Sequence, residues 1–282
     1  MESEERDAYR SLMKRSYDAF VRNPTSTIRN LELKNLTPKP CSSWERVEFH
    51  ALLNHVSSFT ISLRGGGNGA GWQINKVPAY LAFVESLDSF FFEYLLHTMT
   101  LRFSATTDGP LGLPGGQNNT GFPLKDDQLP NLRSLELKHI FIDSFLAGFI
   151  ANHRSLLEEV RFEKCYSGLV YNDVFEDVAL SWGAFFSVIA DSEMPALRRF
   201  EIGPSDCETE PIPEPNSFGY SRLVQSKELR DDYPGRRIFD YKCVDGKYGT
   251  LFATDLNEEK FEEGDDHASW ERLVSIVELR QQ

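Results

Sequence analysis

The chain has 282 residues, 40% of them apolar and 26% charged, with 43 acids against 30 bases and a formal net charge of −13. That is ordinary globular composition, and at this length roughly three quarters of the unfolded surface can be buried, in one large domain or two small ones. The acidic balance argues against nucleic acid, because neutralising phosphates takes clustered Lys and Arg and no such run exists here; solubility and a bias towards basic partners are its simplest meaning.

The four cysteines, Cys41, Cys165, Cys207 and Cys243, are scattered, with no Cys-x-x-Cys pair. Buried free thiols in a reducing compartment are the economical reading. The charged start, Glu2 to Asp7, is unlike a secretory leader. The most apolar helical stretch, Tyr80 to Leu96, is interrupted by Glu85, Asp88 and Glu93, and nothing reaches the ~18 apolar residues of a membrane span. A cytoplasmic or nuclear protein without a membrane partner is expected.

In chain order, Glu4 to Val21 has helical spacing, with Tyr9, Leu12, Met13, Tyr17, Phe20 and Val21 recurring on one face, and Asn23-Pro24 stops it. Ser42-Ser43 caps a helix from Trp44 to Leu53. Arg64 to Trp72 is a glycine loop by composition. Pro78 opens a helix through Leu96. Thr106 to Gln128 is a Gly/Pro/Asn insertion without periodicity. Further helices fit Asp143 to His153 and Val174 to Asp191. Pro204 to Pro215 is a linker, and Ile238 to Val244 and Tyr248 to Phe252 flank the hairpin signal Asp245-Gly246. A closing helix starts at Asp265 or Asp266, with Trp270, Leu273, Val274 and Val277 on one face.

Between these helices one phrase recurs: an apolar residue, two spacers, a second, one spacer, a third. It reads Ile28/Leu31/Leu33, Val56/Phe59/Ile61, Leu96/Met99/Leu101, Leu132/Leu135/Leu137, Leu157/Val160/Phe162 and Leu197/Phe200/Ile202. After the fourth copy come Ile140 and Ile142, and after the fifth Cys165, at the next places of a leucine-rich repeat. Each unit supplies a short strand whose alternate side chains point inward, and stacked units share one core. The copies start 28, 40, 36, 25 and 40 residues apart, longer than the usual ~20–29, so insertion-bearing repeats are implied. An ordinary α/β domain with parallel buried strands is the competing reading.

The expected fold is therefore α/β: an irregular leucine-rich-repeat-like solenoid with parallel strands and outer helices over residues 1–206, N-terminal helix included. Residues 207–282 form a linker plus a C-terminal hairpin-helix cap. If the units are adjacent, the central spacers Glu32, Thr60, Thr100, Glu136, Arg161 and Glu201 form an outward row in which Glu136, Arg161 and Glu201 satisfy one another. Lys138, Glu163 and Arg199 beside them are then freer to meet a partner. Trp72, a large amphipathic side chain on a long loop, is a further anchor. The candidate protein-binding residues are thus Trp72, Lys138, Arg161, Glu163 and Arg199.

Catalytic signals are weak throughout. Gly65-x-Gly67-x-x-Ala70 matches a relaxed dinucleotide fingerprint, but Trp72 and Pro78 intervene before the next helix, whose amides should hold the pyrophosphate. There is no Gly-x-Ser-x-Gly elbow. Cys165 with His139 or His153 makes a conceivable thiol pair, yet a cysteine at a repeat position is more simply a small buried hydrophobe. His50 and His55 are five apart, which suits no metal pair, and the acids Glu258 to Asp266 lack the loop spacing of a calcium hand, so they read as a solvated segment. No catalytic residue, metal or cofactor is expected; the alternative function is a small α/β enzyme with a site near Gly65–Trp72.

Several segments resemble the leucine-rich-repeat-like region of the filamentous-fungal group of F-box proteins. They are Leu129-Pro-Asn-Leu-Arg-Ser-Leu-Glu-Leu137, Phe149-Ile-x-x-His153 leading to Leu157-Glu-x-Val160, Trp182 with Phe185-Phe-x-x-Ile189, Asn68-Gly-x-Gly-Trp72 with Gly109-Pro-Leu-Gly112, and Tyr248-Gly-x-Leu-Phe252 with Glu263-Gly-Asp-Asp266. The resemblance covers most of residues 8–280. It implies a protein-interaction scaffold like the substrate-binding part of a cullin-type ubiquitin ligase receptor. Only one helix precedes the first triad here, where an F-box has several, so the resemblance does not extend to binding the ligase adaptor, and the partner protein is unidentified.

Overall fold

An amphipathic strand needs a neighbour on each edge, and the six repeated phrases supply one another's. In the computed structural model, which describes residues 4, 6–22, 28–65, 77–106, 109–112, 121–171, 176–178, 180–205, 231–245 and 249–281, a six-stranded all-parallel sheet has the order β1 (Asn30–Leu36), β2 (Ser58–Leu63), β3 (Thr100–Ser104), β4 (Ser134–Lys138), β5 (Glu159–Glu163), β8 (Arg199–Ile202). Leu31, Phe59, Leu101, Leu135, Val160 and Phe200 lie side by side across it, and Leu33, Ile61, Phe103, Leu137, Phe162 and Ile202 form the next row. Just below, Ser57 N–H donates to Arg29 O, Met99 N–H to Ser57 O, Arg133 N–H to Met99 O, Glu158 N–H to Arg133 O and Arg198 N–H to Glu158 O, a ladder crossing all six units. The fold is α/β, as the spacing predicts.

The third unit sits two residues later than the triad pattern places it. Thr98, Leu101 and Phe103 take the inward positions, all buried, while Leu96 and Met99 are 46% and 43% exposed. Thr98 has the shape of Val, and its hydroxyl donates to Val56 O of the preceding unit at 2.9 Å, so burial leaves it satisfied. A pattern built on apolar letters misses it. The outward spacer of this unit is consequently Arg102, not Thr100.

Helices cover one side of the sheet. α1 (Ala8–Arg22), a 3₁₀ turn (Ser42–Glu45) and α2 (Val47–Leu53) lie at the β1 end. The expected helix from Pro78 to Leu96 is broken into α3 (Pro78–Glu85), α4 (Leu87–Phe90) and a 3₁₀ turn (Phe92–Tyr94). The reason is the run Phe90-Phe91-Phe92: all three rings are buried, and consecutive residues of a continuous α-helix cannot face one core. Ser86 Oγ also donates back to Ala82 O at 2.7 Å, helping the turn to end. α5 (Ser144–Asn152) is capped by Asp143, whose carboxylate accepts from Leu146 N–H. α6 (Trp182–Asp191) is capped by Ser181. The helix expected from Val174 is shorter than that, because Glu176–Val178 is instead strand β7, antiparallel to β6 (Ser167–Tyr171).

The inward rows and these helices share one hydrophobic core. Phe59 meets Phe91, Phe103 meets Phe92 and Phe122, and Phe162 meets Trp182, Phe185 and Phe200.

A second sheet has the order β10 (Gly249–Phe252), β9 (Tyr241–Asp245), β6, β7, drawing two strands from each side of residue 206. β9 and β10 pair antiparallel, as the hairpin signal predicts; Gly246 lies outside the described residues, as do Cys207 and most of the 204–215 linker. α7 (Thr254–Glu263) was not foreseen: the acidic segment is helical, with Phe261 and Asn257 buried. It ends at Gly264, whose left-handed φ of 78° starts α8 (Asp265–Leu279), and a Cβ there would come within 3.0 Å of the Arg236 guanidinium. α8 packs on α6 and β8. Buried Asp266 accepts hydrogen bonds from Gly183 N–H, at the start of α6, and from the Tyr241 hydroxyl, both at 2.6 Å. A carboxylate there also suits the positive end of the α6 dipole. Arg280 and Gln281 donate to the Met194 and Arg198 carbonyls, and Arg237 to those of Ile202 and Gly203, so the edge at β8 is held by the C-terminal segment.

Register decides the cost of truncation. Phe103→Ala should destabilise by about 3–5 kcal/mol and Leu137→Ala by about 2–5 kcal/mol, whereas Met99→Ala should stay within about 0.5 kcal/mol. Urea unfolding measures all three; a Met99 loss equal to that of Phe103 would restore the register of the apolar triad.

Candidate protein-interaction surface

Each strand that turns one side chain inward turns the next one outward. The middle outward row reads Glu32, Thr60, Arg102, Glu136, Arg161, Glu201 in register. On β2, β3 and β4 the rows on either side hold Ser58, Ser62, Thr100, Ser104 and Ser134, all half-buried. The floor of the face is thus made of small hydroxyls, bordered by charge on both sides. Parallel sheets are usually covered on both faces; among the described residues, every outward strand position on the second side of this one is a polar residue that is exposed or half-buried.

The charges on the face are largely spent on one another. Arg102 Nε lies 3.2 Å from Glu136, Lys138 Nζ 2.6 Å from Glu163, Arg199 2.7 Å from Glu201, Arg133 2.5 Å from Glu158 and Lys34 2.6 Å from Glu32. The hydrogen bond from Lys138 holds the Glu163 carboxyl below its ordinary range, against a smaller opposing effect of burial. The bond from Lys34 lowers Glu32, and the bond to Glu201 raises Arg199.

Lys138, Glu163 and Arg199 were expected to be the freer contacts, and their placement corrects this: all three are in ion pairs. Glu136, expected to be satisfied by Arg161, is paired with Arg102 instead. Arg161 is exposed and, among the described residues, has no carboxylate within ion-pair distance, though it lies in the field of Glu163. Trp72 and the loop beyond Gly65 lie outside the described residues. Arg102 was missed because the third unit was read two residues early; allowing Thr at an inward position would have found it.

The catalytic decoys have structural roles. Burial raises the Cys165 thiol to about 12, and its Sγ faces the Leu137 and Glu163 carbonyls at 3.5 and 3.6 Å, so it is a protonated core residue. His153 joins α5 to the start of the β4 unit, with Nδ1 2.8 Å from Phe149 O and Nε2 2.9 Å from Gln128 O. His50 stacks on Tyr94 at 3.6 Å, and His55 Nδ1 reaches Ala51 O. A small recess between α7 and α8 is lined by Arg236, Arg237, Lys260 and His267. Arg236 is committed there to the Phe261 and Glu262 carbonyls at the end of α7. Among the described residues no group of three metal-ligating side chains occurs, and no helix is long and apolar enough to cross a membrane.

Comparison with protein-family models, with curated proteins and with solved structures finds no match for this chain.

The Lys138–Glu163 pair makes a titration testable. A carboxyl lowered in the folded state adds stability above its unfolded value near 4.5, and that stability fades as pH falls through the lowered value. Both side chains are about a third exposed, so the effect stays below about 1 kcal/mol. Lys138→Met should move the Glu163 midpoint upward in an NMR carboxyl titration; an unmoved midpoint would show that the pair does not persist in solution.

Proposed function

We propose that this chain is a protein-interaction scaffold and that the open side of its six-stranded sheet is the binding surface. The supporting observation is that, among the described residues, one face of a parallel sheet is set in register and lined at strand positions by exposed or half-buried Asn, Ser, Thr, Glu, Lys and Arg. No convergent pocket of perturbed acids and bases accompanies it among the described residues, which favours binding over the small-enzyme alternative.

The units also repeat in backbone detail, which supports the irregular leucine-rich-repeat-like solenoid. His139 and Lys164 each follow a strand, and Asn35 lies at the register shift near the end of β1; all three have φ between 50° and 56°. Each is followed by a buried side chain, Leu36, Ile140 or Cys165, at the place where the repeat pattern asks for Asn or Cys, which Cys165 alone of the three meets. On this reading residues 207–282 act as the cap, with α8 against the last units. The resemblance to fungal F-box proteins extends the proposal to the substrate-binding part of a ubiquitin ligase receptor in the cytoplasm or nucleus.

Thr60→Arg and Ser104→Arg place long side chains on the hydroxyl floor without touching the core. In affinity purification with mass spectrometry, both variants should lose the partner recovered by the parent while the Tm moves by less than about 3 °C. Recovery of cullin-ligase subunits with the parent would support the receptor reading. Undiminished partner recovery by both variants would place binding elsewhere on the molecule.

A further inference from the structure

One edge of the six-stranded sheet is covered by the C-terminal segment; the other is not covered among the described residues. There β1 has β2 on one side and no strand on the other, and α1 packs on the 3₁₀ turn and α2, on the helical side of the sheet. Ser58 N–H donates to Arg29 O, and the register runs from Asn30↔Ser58 to Leu33↔Ile61. A parallel ladder alternates, so Leu31 and Leu33 turn their N–H and C=O groups towards β2, while Asn30, Glu32 and Lys34 turn theirs to the free edge. Asn35 N–H turns back to Ser62 Oγ at 2.8 Å, which ends the free stretch after Lys34. Glu32 and Lys34 are exposed, and Lys34 Nζ lies 2.6 Å from Glu32, so both side chains stand on the open face. Unpaired edge groups of this kind are a template for another strand.

We propose that the free edge of β1 is taken by β1 of a second copy of this chain, antiparallel, with Leu33 opposite Leu33 at a two-fold axis. Charge selects this occupant: Glu32-Leu33-Lys34 is its own complement when read in reverse. In that register Glu32 faces Lys34 of the second copy, and Lys34 faces its Glu32. The backbone groups of both residues point to the edge, so each facing pair exchanges both of its N–H···O=C bonds. The four charges then alternate around the axis. Opposite charges directly across an antiparallel pair are favourable and like charges unfavourable. A shift of two residues one way sets Glu32 against Glu32, and the other way Lys34 against Lys34. A shift of one residue would turn the apolar positions of the two strands to opposite faces. Charge on an edge strand commonly prevents association, but a single repeated sign would serve that end, and β1 carries both signs. The net charge of −13 opposes the approach of two copies, yet at ~0.1 M salt charges beyond ~10 Å are largely screened. A contact this short belongs with weak, concentration-dependent associations. The axis stands normal to the sheet, so both open faces look the same way; the pairing does not depend on what that face binds.

Sedimentation velocity of the full chain, over about a hundredfold range of concentration up to roughly 1 mM, reads the assembly. The parent should pass from monomer to dimer, and the Glu32 and Lys34 amides should exchange more slowly with solvent at the upper end. Glu32→Lys alone and Lys34→Glu alone set like charges across the axis, so each should weaken the dimer about tenfold with an unchanged Tm. An equimolar mixture of the two variants should restore it, because one supplies two bases opposite the other's two acids. A parent that stays monomeric throughout would overturn the proposal. A dimer that neither variant weakens would overturn β1 as the contact. A dimer that both variants lose and their mixture does not restore would overturn the antiparallel register about Leu33. A monomeric parent whose Glu32 and Lys34 amides slow only when a captured partner is added would overturn the second copy as occupant and give the edge to a strand of that partner.

Discussion

Lateral backbone pairing of six parallel strands is the constraint on which the remaining structure depends. Once Leu31, Phe59, Leu101, Leu135, Val160 and Phe200 are held in one row, alternation leaves no freedom about what the other side presents. A slip of one residue in any strand would turn its apolar pair to solvent and its charges into a core of phenylalanine rings. The helices then have a single place to go. Each crossover delivers its apolar side chains to the same layer, and the sheet's second side is left to Ser, Thr and mutually paired charges.

Those pairs are better understood as a way of keeping an open parallel face soluble and in register than as a source of stability. Exposed pairs such as Arg102–Glu136 and Arg199–Glu201 contribute little each, whereas like charges facing each other on neighbouring strands would oppose the sheet. The two ends of the sheet are finished differently. At β8 the backbone groups are met by Arg237, Arg280 and Gln281. Asp266 meanwhile ties the first turn of α8 to the start of α6 and to Tyr241, so the C-terminal segment is fastened to the repeats through buried polar contacts as well as apolar packing.

Much of this was legible in the sequence, and where it was not the reasons are physical. Five of the six strand registers follow from apolar spacing because Leu, Val, Ile and Phe at those positions have no alternative to burial. The third fails at Thr98, where a hydroxyl bonded to Val56 O replaces an apolar side chain, and that slip hid Arg102. The helix after Pro78 was drawn too long because helical periodicity does not register three consecutive phenylalanines that all need the core. α7 was missed because its charged residues outnumber the one buried ring, Phe261, that orients it. The candidate contacts were half legible: Arg161 stands exposed, but which of its neighbours are spent depends on cross-strand pairing that spacing alone does not give. Lys138, Glu163 and Arg199 are engaged for that reason.

Carboxyl labelling followed by mass spectrometry tests the central claim most directly, because the outward row carries glutamates at both ends and in the middle. In the free chain Glu32, Glu136 and Glu201 should all be modified, and on addition of the captured partner they should be protected while Glu85 and Glu271, on the helices, keep their labelling. Protection confined to the helical side, or an outward row that resists labelling in the free chain, would contradict the account.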